Sequence, residues 1–306
     1  MLTPSAVEHR GSAPFCEFRP RPARANPVPP GPVWIWGIPY TPFTLRQTVA
    51  YVDHLVRQGK PTYFATVNLH TAMLAHQGAR MREAVLGAAF NLADGMPLVW
   101  ASRWRKGRLP ERVAGSDLFP ALAELAAAKG YRVFLLGGAP GVADQAAQNL
   151  CRRYPGLQVA GVEVPPFRDL SAGEEAALVA RIRAARPDML FVAFGQPKGE
   201  VWLARNHQAL GVPVCVQVGA TLDFVAGRVP RAPRFFQRAG LEWAYRLYQE
   251  PGRLFLRYSR NAAFLLRMLI RDAADVLRRS KTHDQTSRVA LSGPAGARPL
   301  ADPVLG

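Results

Sequence analysis

Hydrophobic positions follow two alternating patterns between residues 33 and 281. Short, nearly uninterrupted apolar runs recur at 33–38, 62–67, 133–136, 157–162, 189–194 and 214–218. Runs of that length without polar alternation predict strands buried on both faces. Between them, apolar residues recur at helical spacing and predict amphipathic helices over 45–58, 117–129, 142–154, 173–185 and 201–210. Strand and helix exchanging in this way predict an α/β fold: a Rossmann-like, mainly parallel sheet with flanking helices.

The two ends read differently. Residues 1–32 hold eight prolines and four arginines with no apolar periodicity, which predicts a disordered tail, and 282–306 is similarly rich in Gly, Pro, Ala and Ser. The expected organisation is therefore a tail over 1–32, a catalytic α/β domain over 33–235, a basic appendage over 236–281 and a second tail over 282–306. No uncharged apolar run reaches the roughly 18 residues of a membrane span, and no apolar segment behind a basic start suggests a secretory signal. Cys16, Cys151 and Cys215 are odd in number and far apart. They fit a reduced cytoplasmic protein and offer neither a disulfide framework nor a cysteine metal site.

Charge narrows the partners. The formal net charge is +17, and residues 228–281 carry 13 Lys/Arg against four acids. Phosphate-rich partners follow: nucleic acid, an anionic membrane or a nucleotide-bearing substrate. Taken as one helix at about 100° per residue, Arg253, Arg257, Arg260, Arg267, Arg271 and Arg278 share one sector of about 80°. Leu254, Tyr258, Leu265, Leu266, Leu269 and Val276 take the other side. Such a basic amphipathic helix suits a lipid surface, and Phe264 and Met268, close to the arginine sector, are expected there too.

Ligands of a parallel sheet bind beyond the carboxyl ends of its strands, so chemistry is expected in four turns. They are Thr66-Val67-Asn68, Ala93-Asp94-Gly95, Gly137-Gly138-Ala139-Pro140-Gly141 and Gly195-Gln196-Pro197-Lys198. Asp94 suits a general base, or else the cap of a helix beginning at Met96. Thr66 and Asn68 either bind substrate or end their strand. The glycine turn either cradles a phosphate at a helix start or makes a tight connection; it lacks the GxGxxG fingerprint. Asp53-His54 and the pair His70 and His76 lack metal-ligand spacing. No Asp-x-Asp is present, so arginine must supply the charge if a nucleotide diphosphate is handled.

Together these pieces resemble the WecG/TagA/CpsF family, glycosyltransferase family 26. The resemblance rests on their order: Thr66-Val-Asn68, Ala93-Asp94-Gly95, Glu111-Arg112-Val-Ala-Gly115, Phe134-Leu-Leu-Gly137-Gly138, Gly195-Gln-Pro197-Lys198-Gly-Glu200, Val218-Gly219-Ala-Thr-Leu-Asp223-Phe224, Arg231-Ala232-Pro233, and Gly240-Leu-Glu242-Trp243-Ala-Tyr245-Arg246 before Glu250-Pro251-Gly-Arg253. It implies metal-independent, inverting transfer of a sugar, typically an N-acetylmannosamine derivative, from a UDP-sugar. The implied acceptor is a lipid-diphosphate-linked sugar at the cytoplasmic membrane face, in cell-surface polysaccharide synthesis. By motif, Asp94 is the implied base. Thr66, Asn68, Gly95, Arg112, Gly137, Gly138, Gln196, Lys198, Glu200 and Asp223 are implied for substrate, and Arg246, Arg253 and Arg257 for diphosphate. No cofactor, metal or nucleic acid is implied. The rival readings are a dinucleotide-dependent enzyme using the Gly137-Gly138 turn and a nucleic-acid binder using the basic helix. The chain departs from the family's Pro-Lys-Gln-Glu at one position, Gly199.

Overall fold

The computed structural model describes residues 29–105, 107–238 and 240–291, with the side chains of Arg234, Arg238, Arg253, Leu277 and 279–291 outside the description. The run at 33–38 is not one strand. It forms a hairpin of β1 (Val33–Ile35) and β2 (Ile38–Tyr40), pairing Val33 with Tyr40 and Ile35 with Ile38. Trp36 and Gly37 both adopt positive φ, 50° and 74°, and turn the chain between them.

The other predicted strands and helices form, and further helices that the pattern did not show stand among them. In chain order the elements are α1 (Leu45–Gln58), β3 (Tyr63–Val67), α2 (Leu69–Gln77), α3 (Ala79–Leu86), β4 (Asn91–Ala93), α4 (Met96–Ser102) and α5 (Gly115–Lys129). Then follow β5 (Arg132–Gly137), α6 (Val142–Arg153), β6 (Gln158–Glu163), α7 (Ala172–Ala185), β7 (Met189–Ala193), α8 (Lys198–Leu210) and β8 (Val214–Gln217). Last come α9 (Thr221–Val225), α10 (Arg234–Arg238), α11 (Glu242–Gln249) and α12 (Pro251–Leu291). Strands β3 to β8 form a six-stranded parallel sheet in the order β4-β3-β8-β7-β5-β6.

The uninterrupted apolar runs have a direct cause. Successive residues of a strand face opposite sides, and both sides are covered. Val133, Leu135, Met189, Phe191, Val214 and Val216 join one core with α1, α5, α6 and α9. Phe134, Leu136, Leu190, Val192 and Cys215 join the other with α7 and α8. The chain leaves β5 and β8 toward the first layer but β7 toward the second, so neighbouring strands part company at their carboxyl ends. Crevices open at such points.

Two units result, Met1–Arg257 and Tyr258–Gly306. Ion pairs of Glu242 with Arg112 and Arg231 tie α11 into the first unit. Within the second unit, α12 runs past 281 to Leu291; no glycine or proline interrupts the sequence between Gly252 and Gly293. The rest of the expected C-terminal tail, 292–306, lies outside the described residues, as do 1–28 of the N-terminal one. Arg260, Arg267, Arg271 and Arg278 are exposed, as are Leu266, Leu269, Ile270 and Val276. Phe264 and Met268 are buried, which corrects their expected lipid exposure.

Candidate active site

Asp94 follows the last residue of β4, and its N–H donates to the Val67 carbonyl at the end of β3 (2.9 Å). Gly95 next to it has φ 154°, where a side chain would be strained. The cap position of α4 is Gly95, without a side-chain bond, so Asp94 does not cap that helix. Its carboxylate instead accepts the Gly115 N–H at the start of α5. Burial, with the carboxylates of Glu242 and Asp117 adding to it, pushes the Asp94 pKa up to about 6 against the pull of Arg112 and the Gly115 N–H. A carboxylate so placed takes up a proton near neutral pH, as a general base must.

Arg112, Glu242 and Asp117 act on Asp94, and Arg231 joins these three in one network. Arg112 bridges Asp117 (3.1 Å) and Glu242 (3.1 Å), while Arg231 bridges the same two carboxylates at 2.7 and 3.3 Å. Each charge thus meets two of opposite sign. Burial works against the Arg112 charge, but Asp117, Asp94 and Glu242 hold its pKa above the ordinary value. Sequence reasoning assigned Arg112 to the site but gave Arg231, Asp117 and Glu242 no role.

Thr66 belongs to the same cluster. Its hydroxyl donates to the Gln217 carbonyl (3.4 Å), and a Cβ added at Gly115 would sit 3.7 Å from that hydroxyl. Asn68 caps α2, its Oδ1 accepting from the Thr71 N–H and hydroxyl at 3.0 and 3.1 Å. Thr71 then accepts from Gln196 (2.7 Å), which also donates to Glu200 (3.3 Å) and accepts from Arg257 (2.7 Å). A continuous chain therefore runs from Asn68 to Arg257. Glu200 is buried, its pKa raised by that burial, and its Oε2 has no hydrogen-bond partner.

Other expected residues have different surroundings. Gly137 (φ 98°) packs so closely on Phe194 that a Cβ there would lie 2.8 Å from the ring, and the Gly138 N–H bonds the Ala193 carbonyl. Close packing favours glycine at 137, and the positive φ of 85° favours it at 138. Lys198 reaches the Arg168 carbonyl (2.7 Å) and Asp169 (3.2 Å) in the loop after β6, not the Asp94 cluster. Asp223 lies in α9 beside Phe224, over whose ring Arg246 stands at 5.5 Å. The Nε of Arg246 is buried without a hydrogen-bond partner. The Arg253 side chain lies outside the described residues.

The model of the glycosyl transferase WecG/TagA/CpsF family matches residues 33–278. The chain belongs to this family. As a WecG/TagA/CpsF member it is a glycosyltransferase, and two relatives bear the name N-acetylglucosaminyldiphosphoundecaprenol N-acetyl-beta-D-mannosaminyltransferase. The one from Bacillus spizizenii (strain ATCC 23059 / NRRL B-14472 / W23) is 33% identical over 215 residues, 69% of this chain and 82% of the relative. The one from Bacillus subtilis (strain 168) is 31% identical over 220 residues, 72% and 84% of the two chains.

In this WecG/TagA/CpsF member, the surroundings of Gly199, where the resemblance implies glutamine, leave no room for a side chain. A Cβ added there would overlap the carboxamide of Gln217, which is held by a bond from its Nε2 to the Phe194 carbonyl. Gly199→Gln should therefore overpack the site and cost about 1–3 kcal/mol in chemical denaturation. Gly199→Gln/Gln217→Ala should recover most of that loss. Equal stability of the single variant and the parent would refute the steric reading.

Proposed function

We propose that this chain transfers an N-acetylmannosamine-type sugar from a UDP-sugar to a lipid-diphosphate-linked acceptor sugar, with inversion at the anomeric carbon. Asp94 takes the proton of the acceptor hydroxyl, whose oxygen attacks the anomeric carbon as the bond to UDP breaks on the opposite face. The names of the relatives support the lipid-linked acceptor, and the observation that carries the mechanism is the Asp94 carboxylate. It sits at the carboxyl edge of the sheet with its pKa at about 6, bound to the Gly115 N–H, and the Thr66 hydroxyl lies close to Gly115 as well.

Charge on the departing diphosphate falls to arginine in this reading. Guanidinium binds phosphate oxygens in pairs and keeps its charge. Arg246 supports the assignment, since its buried Nε has an unused hydrogen to give. Arg257 is positioned by its Nη2 bond to Gln196, which leaves other N–H groups of the guanidinium to meet phosphate oxygen. The acceptor lipid brings the enzyme to the cytoplasmic face of an anionic membrane as a peripheral protein. Among the described residues no helix is long and apolar enough to cross a membrane, and the exposed arginines of α12 suit contact with its surface.

The deciding experiment screens UDP-sugars for UDP release with a short-chain lipid-diphosphate-linked N-acetylglucosamine acceptor. Acceptor-dependent release with UDP-N-acetylmannosamine is expected, and release with no donor of this class would refute the reading. The same transfer should persist in EDTA, because arginine carries the leaving-group charge. Loss of turnover in EDTA, restored by Mg²⁺ or Mn²⁺, would overturn that part.

A further inference from the structure

Immediately after the catalytic turn, α4 and the loop behind it expose an unusual combination of side chains. Leu98, Val99, Ala101 and Ser102 are buried, whereas Trp100 is 45% exposed and Trp104, in the turn that follows, is 78% exposed. Two large exposed indoles therefore stand within five residues of one another, at the end of α4 and in the turn after it. Arg103 and Arg108 beside them are exposed. From Trp100 to Pro110 the sequence carries four cations and no acid.

This protrusion is built, not frayed. Arg103 N–H bonds the Trp100 carbonyl and Arg105 N–H the Ser102 carbonyl, both at 3.0 Å. The Ser102 hydroxyl donates to Val99 (2.7 Å) and accepts from the Leu109 N–H (3.0 Å), closing the loop back onto α4. A Cβ at Gly107 would come within 3.1 Å of Val33. The first residue of α4, Met96, is held equally closely, since a Cβ at Gly240 would overlap its side chain. The fold therefore fixes two large apolar rings among cations on the solvent side, a few residues from Asp94.

We infer that Trp100, Trp104, Arg103 and Arg108 form a contact for an anionic lipid bilayer, separate from the basic C-terminal helix. Indole rings favour the level of the headgroups, where an apolar body meets a wet N–H, and cations nearby favour an anionic leaflet. Charge selects this occupant. A second copy of this chain would bring a like-charged protrusion, and plain solvent offers nothing to two exposed indoles. The contact goes beyond the proposed reaction, because it requires no donor or acceptor. It would hold the turn carrying Asp94 at the bilayer surface.

Full-length protein with vesicles of phosphatidylglycerol and a brominated phosphatidylcholine tests this directly. Bromine on the acyl chains should quench the parent's tryptophan emission, and most of that quenching should vanish in Trp100→Phe/Trp104→Phe with the thermal unfolding curve unchanged. Each cation near an anionic leaflet is worth about fivefold in partitioning, so Arg103→Gln/Arg108→Gln should bind phosphatidylglycerol vesicles roughly 10- to 30-fold more weakly. Activity on a soluble acceptor should be unaffected in both variants. Undiminished quenching in the double Phe variant would overturn the inference. So would self-association of the parent, without lipid, that the double Phe variant abolishes.

Discussion

Asp94→Asn is expected to lower turnover by about 10²–10⁴-fold, the usual range for loss of a general base. The amide keeps the size of the carboxylate and an oxygen to accept the Gly115 N–H, so the turn between β4 and α4 should hold its shape. Stability should not suffer. The folded pKa of about 6 lies above the ordinary 3.8, so the native state's preference for the protonated form is a stabilisation present at low pH and lost as pH rises through about 6. Asn does not ionise, and at pH 8 the variant should be as stable as the parent or more so. The pH profile offers a second check. In the parent, kcat/KM should fall about tenfold per unit below pH 6, because only the ionised form accepts a proton. A folded Asp94→Asn protein with near-normal turnover, or a parent whose rate is flat from pH 7 to 5, would remove Asp94 from the mechanism.

What the sequence disclosed depended on how far apart the cooperating residues lie. Uninterrupted apolar runs are local, and they revealed a sheet covered on both faces; 33–38 misled, because a short run does not show where Gly37 bends it, and 157–162 became an edge strand, β6, that is only half-buried. The turns holding Thr66 and Asp94 could be found because strand and helix patterns meet there. Gly137 was harder: a glycine wanted for its φ and for close packing on Phe194 looks the same in sequence as one wanted by a phosphate. Lys198 sits in a matching motif yet turns to Asp169 in another loop. Least legible was the four-charge group. Arg112 and Glu242 are 130 residues apart, and no spacing rule joins them. Glu242 lay in a quoted motif, but its partners became visible only when α11 was seen against the start of α5.

That group yields an opposed pair of expectations. Glu242→Gln removes a negative charge that raises the Asp94 pKa, so the acid limb of kcat/KM should move below its parental position near pH 6. Arg112→Gln removes the positive charge that lowers it, and the limb should move above that position. A purely structural disturbance would not shift the two variants in opposite directions. Both should also destabilise the fold, because the Arg112, Arg231 and Glu242 side chains are only 16%, 9% and 13% exposed. Without Glu242 two guanidinium groups are left to share Asp117, and without Arg112 two carboxylates are left to share Arg231. Breaking a well-buried pair costs about 3–5 kcal/mol; partial exposure here suggests the lower end, about 3 kcal/mol. Arg112→Gln/Glu242→Gln removes one charge of each sign and leaves the Arg231–Asp117 pair at 2.7 Å intact. The double variant should therefore lose less than the two single losses added together, by about 0.5–3 kcal/mol in denaturant unfolding. Strict additivity, or acid limbs that move the same way in the two single variants, would show that these charges do not act on Asp94 as one group.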